Sequence, residues 1–223
     1  MAIAKVILWG RVIGAVSDNN GDIEFSYDPN FIGQGIELAP LAMPVNNTIY
    51  SFPELRDVKP YYGLPGVLAD SLPDSYGNLM IQEYLGRYGN GRITLSPVEK
   101  LCYTGTRGMG ALEYEPSISE TPISESINLG ELTKLAEKIL TQRKDLHFEE
   151  NENAMKQLLQ VGSSAGGARA KALIAWNEET KEIRSGQINA GPGFEYWLLK
   201  FDRMTNNKDK EIKPDDIDST RIE

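Results

Sequence analysis

The sequence is poor in the residues that build the commonest covalent and metal-centred sites. It contains one cysteine, Cys102, and one histidine, His147, so neither an intrachain disulfide nor a zinc site of the usual Cys/His type can form. A Ser-His-Asp triad would have to use His147, and no Gly-x-Ser-x-Gly elbow accompanies that residue. Cys102 lies in an apolar stretch, which favours a core position over a nucleophile. We therefore expect no metal site and an unreactive, buried thiol.

Long apolar runs and an excess of positive charge are also absent. No apolar run reaches the roughly 18 residues of a membrane span, and the opening residues 1–5 lack the layout of a signal peptide. The chain carries 23 Lys and Arg against 32 Asp and Glu, a formal net charge of −9. Nucleic-acid binding over a broad surface requires a basic footprint, which this balance does not supply. These absences predict a cytoplasmic protein with no membrane contact and no direct nucleic-acid binding.

The first half of the chain, residues 1–116, has the pattern of a mixed α/β subdomain. Its apolar opening, residues 4–16, predicts one long strand, and the Asn20-Gly21 hairpin signal then predicts a return strand over residues 23–27. Short apolar pieces such as residues 38–43 are further strand candidates. Two helices are expected, one capped by Asp74 or Ser75 after Pro73, the other opened by the capping box Ser96-Pro97-Val98-Glu99. A strand is expected over residues 110–114.

The second half begins after a Ser/Pro/Glu-rich linker, residues 117–127. Helical patterns follow from Asn128 and from Asn151, and three strand patterns come after them, over residues 171–176, 182–185 and 195–201. The last residues, 203–223, are polar and have no apolar face. The sequence thus predicts an α+β fold of two domains, residues 1–116 and 128–223, the second with a helical pair and an antiparallel sheet.

A loop of small residues precedes the first of these three strands. Eight of the nine residues from Gly162 to Ala170 are Gly, Ala or Ser. Such residues let backbone N–H groups approach an anion closely, and Arg169 and Lys171 add positive charge. The loop is not a Walker A motif, because Ala168-Arg169 stands where that motif has Lys-Ser/Thr. A phosphate cradle and a plain glycine-rich hairpin turn with solvated charges are both compatible with this composition.

A lysine near the end of the last strand pattern favours the phosphate cradle. At a period of two residues, Lys200 shares one strand face with Tyr196 and Leu198. A lysine on an apolar face needs an anionic partner or must extend to solvent. A glycine-rich loop, a hairpin and then a strand lysine form the arrangement of a kinase N-lobe. The alternative for Lys200 is an edge-strand lysine at the surface.

The same residues resemble those of a known family. Residues 163–172 strongly resemble the Gly-rich loop of HipA-type serine/threonine kinases, and residues 197–201 resemble the strand that bears their ATP-contacting lysine. Residues 38–44, 64–77 and 110–112 are similar to motifs of the family's N-terminal domain. The resemblance spans about residues 4–202, in the order that the family has.

The resemblance implies an ATP-dependent kinase that is the toxin of a toxin–antitoxin pair. Members bind ATP and Mg²⁺, phosphorylate a protein substrate such as an aminoacyl-tRNA synthetase, and pair with a HipB-like DNA-binding antitoxin. Lys200 would contact the α/β-phosphates, and Ser164, with Ser163 beside it, falls where members autophosphorylate. The remaining phosphate-lining positions would be Ala165, Gly166, Gly167, Ala168, Arg169, Ala170 and Lys171.

One departure from the family concerns catalysis. The family's catalytic Asp, the Asn after it and the Mg²⁺-binding Asp lie in a helical C-lobe, and the acidic residues after Lys200 lie in a polar tail without such a scaffold. We therefore expect no catalytic residue within this chain. ATP and Mg²⁺ are expected for the full-length kinase, and neither is expected to bind firmly here.

Three interpretations follow from these observations. The favoured one is an N-terminal fragment of a HipA-like kinase toxin, inactive by itself. The first alternative is a stand-alone, non-catalytic module that binds a partner kinase or antitoxin. The second is an unrelated phosphate-binding α+β protein, in which Lys200 and the glycine-rich loop would lie apart.

Overall fold

A computed structural model describes residues 1–74, 77–78, 81–82, 85, 94–108, 110–117, 130, 171–187 and 189–200 of the chain. The chain divides into two compact units. The first consists of Met1–Pro73 and Thr94–Glu120, and the second consists of Asp74–Ile93 and Thr121–Glu223. In the described part of the chain, no helix is both long enough and apolar enough to cross a membrane.

The first unit is built on a five-stranded antiparallel sheet with the strand order β4-β3-β2-β1-β5. Each of its three central strands turns some of its residues into a buried core, and β3 alternates between exposed and buried residues throughout. The strands are β1 (Ala2–Leu8), β2 (Arg11–Asn19), β3 (Asp22–Tyr27), β4 (Ile49–Ser51) and β5 (Leu112–Glu115).

The first hairpin corrects a prediction made from the sequence. Residues 4–16 do not form one strand: β1 ends at Leu8, and β2 begins at Arg11. Trp9 and Gly10 form the two-residue turn between them, with φ angles of 51° and 75°. A turn with positive φ at both central residues matches the twist of a hairpin. The prediction failed because the apolar pattern continues through the turn, where Trp9 replaces the usual Asn or Asp.

The second hairpin confirms its prediction. Asn20 and Gly21 have φ angles of 56° and 93°, and the Asp18 carboxylate accepts a hydrogen bond from the Gly21 backbone N–H at 2.7 Å. Strand β3 alternates strictly between exposed and buried residues, as its sequence predicts. The apolar piece at residues 38–43, by contrast, forms no strand and contributes only an isolated bridge between Ala39 and Met43.

Two helices of the first unit contribute to its core. Helix α1 (Gly66–Ala69) is one turn long, and helix α2 (Pro97–Thr104) follows the predicted capping box. The Ser96 side chain accepts a hydrogen bond from the Glu99 N–H, while the Glu99 carboxylate accepts one from the Ser96 N–H. Helix α2 packs on β1, and Leu101 is fully buried. The capped helix of the prediction is thus confirmed.

Cys102 lies on the buried side of α2 and is 3% exposed. Burial, and then the nearby Glu99 carboxylate, raise the pKa of its thiol. Because the thiolate is the nucleophilic form, this environment suppresses its reactivity. The prediction of a core cysteine is confirmed, whereas His147 lies outside the described residues.

The second unit contains a three-stranded antiparallel sheet with the order β7-β6-β8. Strand β6 (Lys171–Trp176) is central, and β7 (Ile183–Ser185) and β8 (Glu195–Lys200) pair with it. All three predicted strands are confirmed within a residue of their predicted ends. The mixed α+β fold class is confirmed. The predicted helices from Asn128 and Asn151 fall outside the described residues, except for Gly130, which is helical.

Candidate functional site

Two lysines lie opposite each other in the sheet of the second unit. The register of β6 and β8 pairs Lys171 with Lys200, at the end of the sheet where β6 begins. Directly opposite residues of an antiparallel pair point to the same face, with Cβ atoms about 5 Å apart. Two like charges in this position repel each other. An anion between or beside them would relieve that repulsion.

The face that carries the lysines is otherwise apolar. The next pair on it is Leu173 with Leu198, and the pair after that is Ala175 with Tyr196. Both leucines are half-buried, so part of their surface remains open to solvent. The predicted sharing of a face by Tyr196, Leu198 and Lys200 therefore agrees with the register. A short apolar strip thus adjoins the two ammonium groups.

Lys171 and Lys200 differ in exposure. The Lys171 side chain is 9% exposed, whereas Lys200 is exposed. The Asp74 carboxylate lies beside the buried lysine, with 3.9 Å between Lys171 Nζ and Asp74 Oδ2, and its own side chain is 7% exposed. Taking an ammonium group out of water is costly unless a counter-charge accompanies it. Asp74 supplies that counter-charge to Lys171.

Asp74 also begins a helix. Its Oδ1 accepts a hydrogen bond from the Gly77 N–H at 2.7 Å, and its carbonyl oxygen accepts one from the Asn78 N–H at 2.8 Å. The residues described after it, Gly77, Asn78, Ile81, Gln82 and Leu85, are helical. Asp74 is therefore the N-cap that the sequence predicted as one of two candidates. Its contact with Lys171 was not predicted, because no local pattern links residues so distant in sequence.

The turn that follows β7 contacts the middle of β6. Gly186 lies directly over β6, and its backbone N–H donates to the Leu173 carbonyl at 2.9 Å. A Cβ atom at Gly186 would lie 2.9 Å from the backbone of Ile174, so only glycine allows this approach. The Arg184 guanidinium bonds the Ala190 carbonyl at 3.0 Å. These contacts fix β7 against β6.

The predicted site residues divide into two sets. Lys171 and Lys200 are described, and the register brings them together. The loop residues lie outside the described part, and their predicted roles stay predictions; they are Ser164, Ala165, Gly166, Gly167, Ala168, Arg169 and Ala170. Among the described residues, no cluster of three His, Cys, Asp or Glu side chains could hold a metal ion.

Comparison with known proteins yields one family. Residues 4–115, half of the chain, match the family model of the HipA N-terminal domain. The match includes Asp74 and stops before Lys171 and Lys200. Among curated proteins, none matches the chain.

Proposed function

Because the chain belongs to the HipA family, with residues 4–115 as its HipA N-terminal domain, we propose that it contributes the ATP-phosphate-binding part of a HipA-like serine/threonine kinase. Lys171 and Lys200 bind phosphate oxygens of the nucleotide, and the loop from Ala165 to Ala170 lines them with backbone N–H groups. When ATP is bound, it supplies the phosphoryl group, while the catalytic carboxylates belong to a C-lobe. The pairing of Lys171 with Lys200 carries this proposal.

The chemistry of the lysine pair supports a polyphosphate as the ligand. Lys171, Lys200 and Asp74 together carry one positive charge, and Arg169 precedes Lys171 by two residues in the sequence. Hydrogen bonds between an ammonium group and a phosphate are about twice as strong as neutral ones. The half-buried Leu173 and Leu198 next to the lysines suit the less polar part of a nucleotide.

The biological setting of the proposal comes from the family. The HipA family suggests a toxin–antitoxin context, in which the partner is a HipB-like DNA-binding antitoxin and the target is a protein substrate of the kinase. Ser164 is the proposed autophosphorylation site. A phosphate on Ser164 would add about −1.5 to −2 charges beside the phosphate-binding loop, and this charge would repel ATP.

Titration of the 223-residue chain with ATP-Mg²⁺ tests the proposal. We expect weak binding, with a Kd above the micromolar range, detected by NMR of the lysine ¹⁵Nζ groups. The substitutions Lys171→Met and Lys200→Met should each weaken binding by about tenfold or more, since a charge-assisted hydrogen bond contributes about 1.5–3 kcal/mol. Lys181→Met is the matched control. Lys181 is exposed in the turn between β6 and β7, near the ring of Trp176, and its loss should not change the affinity.

Two results would contradict the proposal. One is the absence of any shift at Lys171 and Lys200 in the presence of millimolar ATP-Mg²⁺. The other is an equal loss of affinity in all three lysine variants, which would indicate attraction by overall charge. The stand-alone module of the alternative interpretation predicts the first of these results.

A further inference from the structure

The two carboxylate oxygens of Asp74 contact two different segments of the second unit. Oδ1 accepts the hydrogen bond from the Gly77 N–H at 2.7 Å, and Oδ2 lies 3.9 Å from Lys171 Nζ. The first contact fixes the rotamer of the aspartate, because N-cap geometry is specific. The second oxygen is therefore held at a fixed position beside the lysine. Because one oxygen caps the helix, the other oxygen can hold the Lys171 ammonium in a fixed position.

The contact with Lys171 is buried, and the lysine needs it. Both side chains are more than nine-tenths buried, at 9% and 7% exposure. A lysine side chain has many rotamers, and a buried ammonium group without a counter-charge would turn toward solvent. The distance of 3.9 Å exceeds hydrogen-bond length, so this pair is an electrostatic contact. Asp74 therefore holds the ammonium group on the sheet face through its charge.

We propose that Asp74 is a positioning residue for phosphate binding, which holds the Lys171 ammonium opposite Lys200 so that both can bind one phosphate group. This inference rests on the proposed function and adds a residue to it from a distant part of the chain. Asp74 lies in the segment Leu72-Pro73-Asp74-Ser75, inside the matched family domain, whereas both lysines lie beyond that domain. The aspartate thereby couples the start of a helix within the family domain to the phosphate site.

The substitution Asp74→Asn separates positioning from helix capping. Asparagine is as good an N-cap as aspartate, so the helix start is retained while the negative charge is removed. We expect Asp74→Asn to weaken ATP-Mg²⁺ binding by about tenfold in the NMR titration of the 223-residue chain. Asp74→Ser, another strong N-cap without charge, should weaken it to the same extent and serves if the first variant does not fold. The ¹⁵Nζ signal of Lys171 should shift in both variants without ligand, and that of Lys181 should not.

A double-mutant cycle shows whether Asp74 acts through Lys171. In a Lys171→Met background, Asp74→Asn should change the affinity by less than twofold, because the group that it positions is gone. Equal losses in both backgrounds would indicate a purely structural role and overturn the inference. An unchanged or increased affinity of Asp74→Asn would also overturn it. If Lys171→Met and Lys200→Met bind ATP-Mg²⁺ as the unsubstituted chain does, the proposed function itself is wrong. If these variants lose affinity but Asp74→Asn does not, only the positioning role of Asp74 is wrong.

Discussion

Tyr27 shows how a single polar group is accommodated in the core of the first unit. Its ring packs against Phe25, Phe31 and Tyr50, with centroid distances of 4.9, 5.9 and 6.1 Å. The side chain is 5% exposed, and its hydroxyl donates a hydrogen bond to the Met43 carbonyl at 2.9 Å. Burial, with smaller contributions from Tyr50 and Glu37, raises the pKa of Tyr27 to about 12. The fold therefore favours the neutral form of the Tyr27 hydroxyl.

The raised pKa predicts a loss of stability at alkaline pH. Below pH 10, Tyr27 is neutral in both the folded and the unfolded chain. Above pH 10, the unfolded chain releases the proton while the folded chain retains it up to a pH of about 12, so stability falls as the pH rises through this window. Tyr27→Phe keeps the ring contacts and should make the free energy of unfolding less dependent on pH there. It should also cost about 1 kcal/mol near neutral pH through the lost hydrogen bond.

Urea unfolding of both proteins at several pH values between 8 and 12 measures this effect. Tyr62→Phe is a control, since Tyr62 is an exposed tyrosine outside the ring contacts of Tyr27. The same pH dependence in the unsubstituted chain and in Tyr27→Phe would show that Tyr27 titrates as an ordinary tyrosine.

At the scale of single residues, the sequence predicts the local environment of a side chain better than its contacts with distant residues. Cys102 was correctly assigned to the core because its neighbours are apolar, and Lys200 was correctly assigned to a face with Tyr196 and Leu198 because strands have a period of two. Asp74 was predicted only as a helix cap. Its contact with Lys171 depends on how distant segments pack, and local patterns carry no such information.

At the scale of elements, helix α2 shows what local sequence specifies. The residues Ser96, Pro97 and Glu99 satisfy the first backbone N–H groups and preset the first helical φ, so the helix begins where the sequence predicts. The strands β6 and β8 are predictable for a similar reason, since each contains a short apolar run next to a turn-forming segment. The first hairpin was missed because Trp9 adopts a positive φ that bulky residues rarely have.

Loss of the capping box should destabilise α2 measurably. Ser96→Ala removes the acceptor for the Glu99 N–H, and we expect a loss of about 1 kcal/mol in the free energy of unfolding of the first unit. Ser96→Asp retains a capping oxygen and adds a favourable charge at the helix start, so it should be close to neutral. Hydrogen exchange of the backbone amides of residues 98–104 measures the local effect. Equal protection in Ser96→Ala and the unsubstituted chain would mean that packing alone sets the start of α2.

At the scale of the whole molecule, compact units and family boundaries divide the chain differently. The family domain covers residues 4–115 without a break. The compact first unit leaves out Asp74–Ile93, which belongs to the second unit together with Lys171 and Lys200. The ion pair between Asp74 and Lys171 lies within this second unit. The chain therefore passes from the first unit to the second and back within one family domain.

The 223-residue chain is expected not to phosphorylate itself or a protein substrate. By the resemblance, the catalytic Asp, Asn and Mg²⁺-binding Asp would lie in a C-lobe, and the sequence after Lys200 has no such pattern, so we expect these residues to supply no base for the transfer. Incubation with γ-labelled ATP and Mg²⁺, followed by mass spectrometry of the peptide that contains Ser164, measures this. Modification of Ser164 that disappears in Lys200→Met would contradict the prediction, whereas modification that persists would point to a contaminating kinase.

Local residue patterns were enough to specify strands β3, β6, β7 and β8, the start of α2, the core cysteine and the resemblance to the family, because each depends on residues close together in the chain. The tertiary structure decided three other features: the turn at Trp9 and Gly10, the pairing of Lys171 with Lys200, and the placement of Asp74 beside Lys171. Register and burial arise from the packing of distant segments, whose free energy is shared among many residues. With one cysteine and one histidine, the sequence excludes an intrachain disulfide and a Cys/His zinc site. The fold then brings Asp74 and Lys200 close to Lys171.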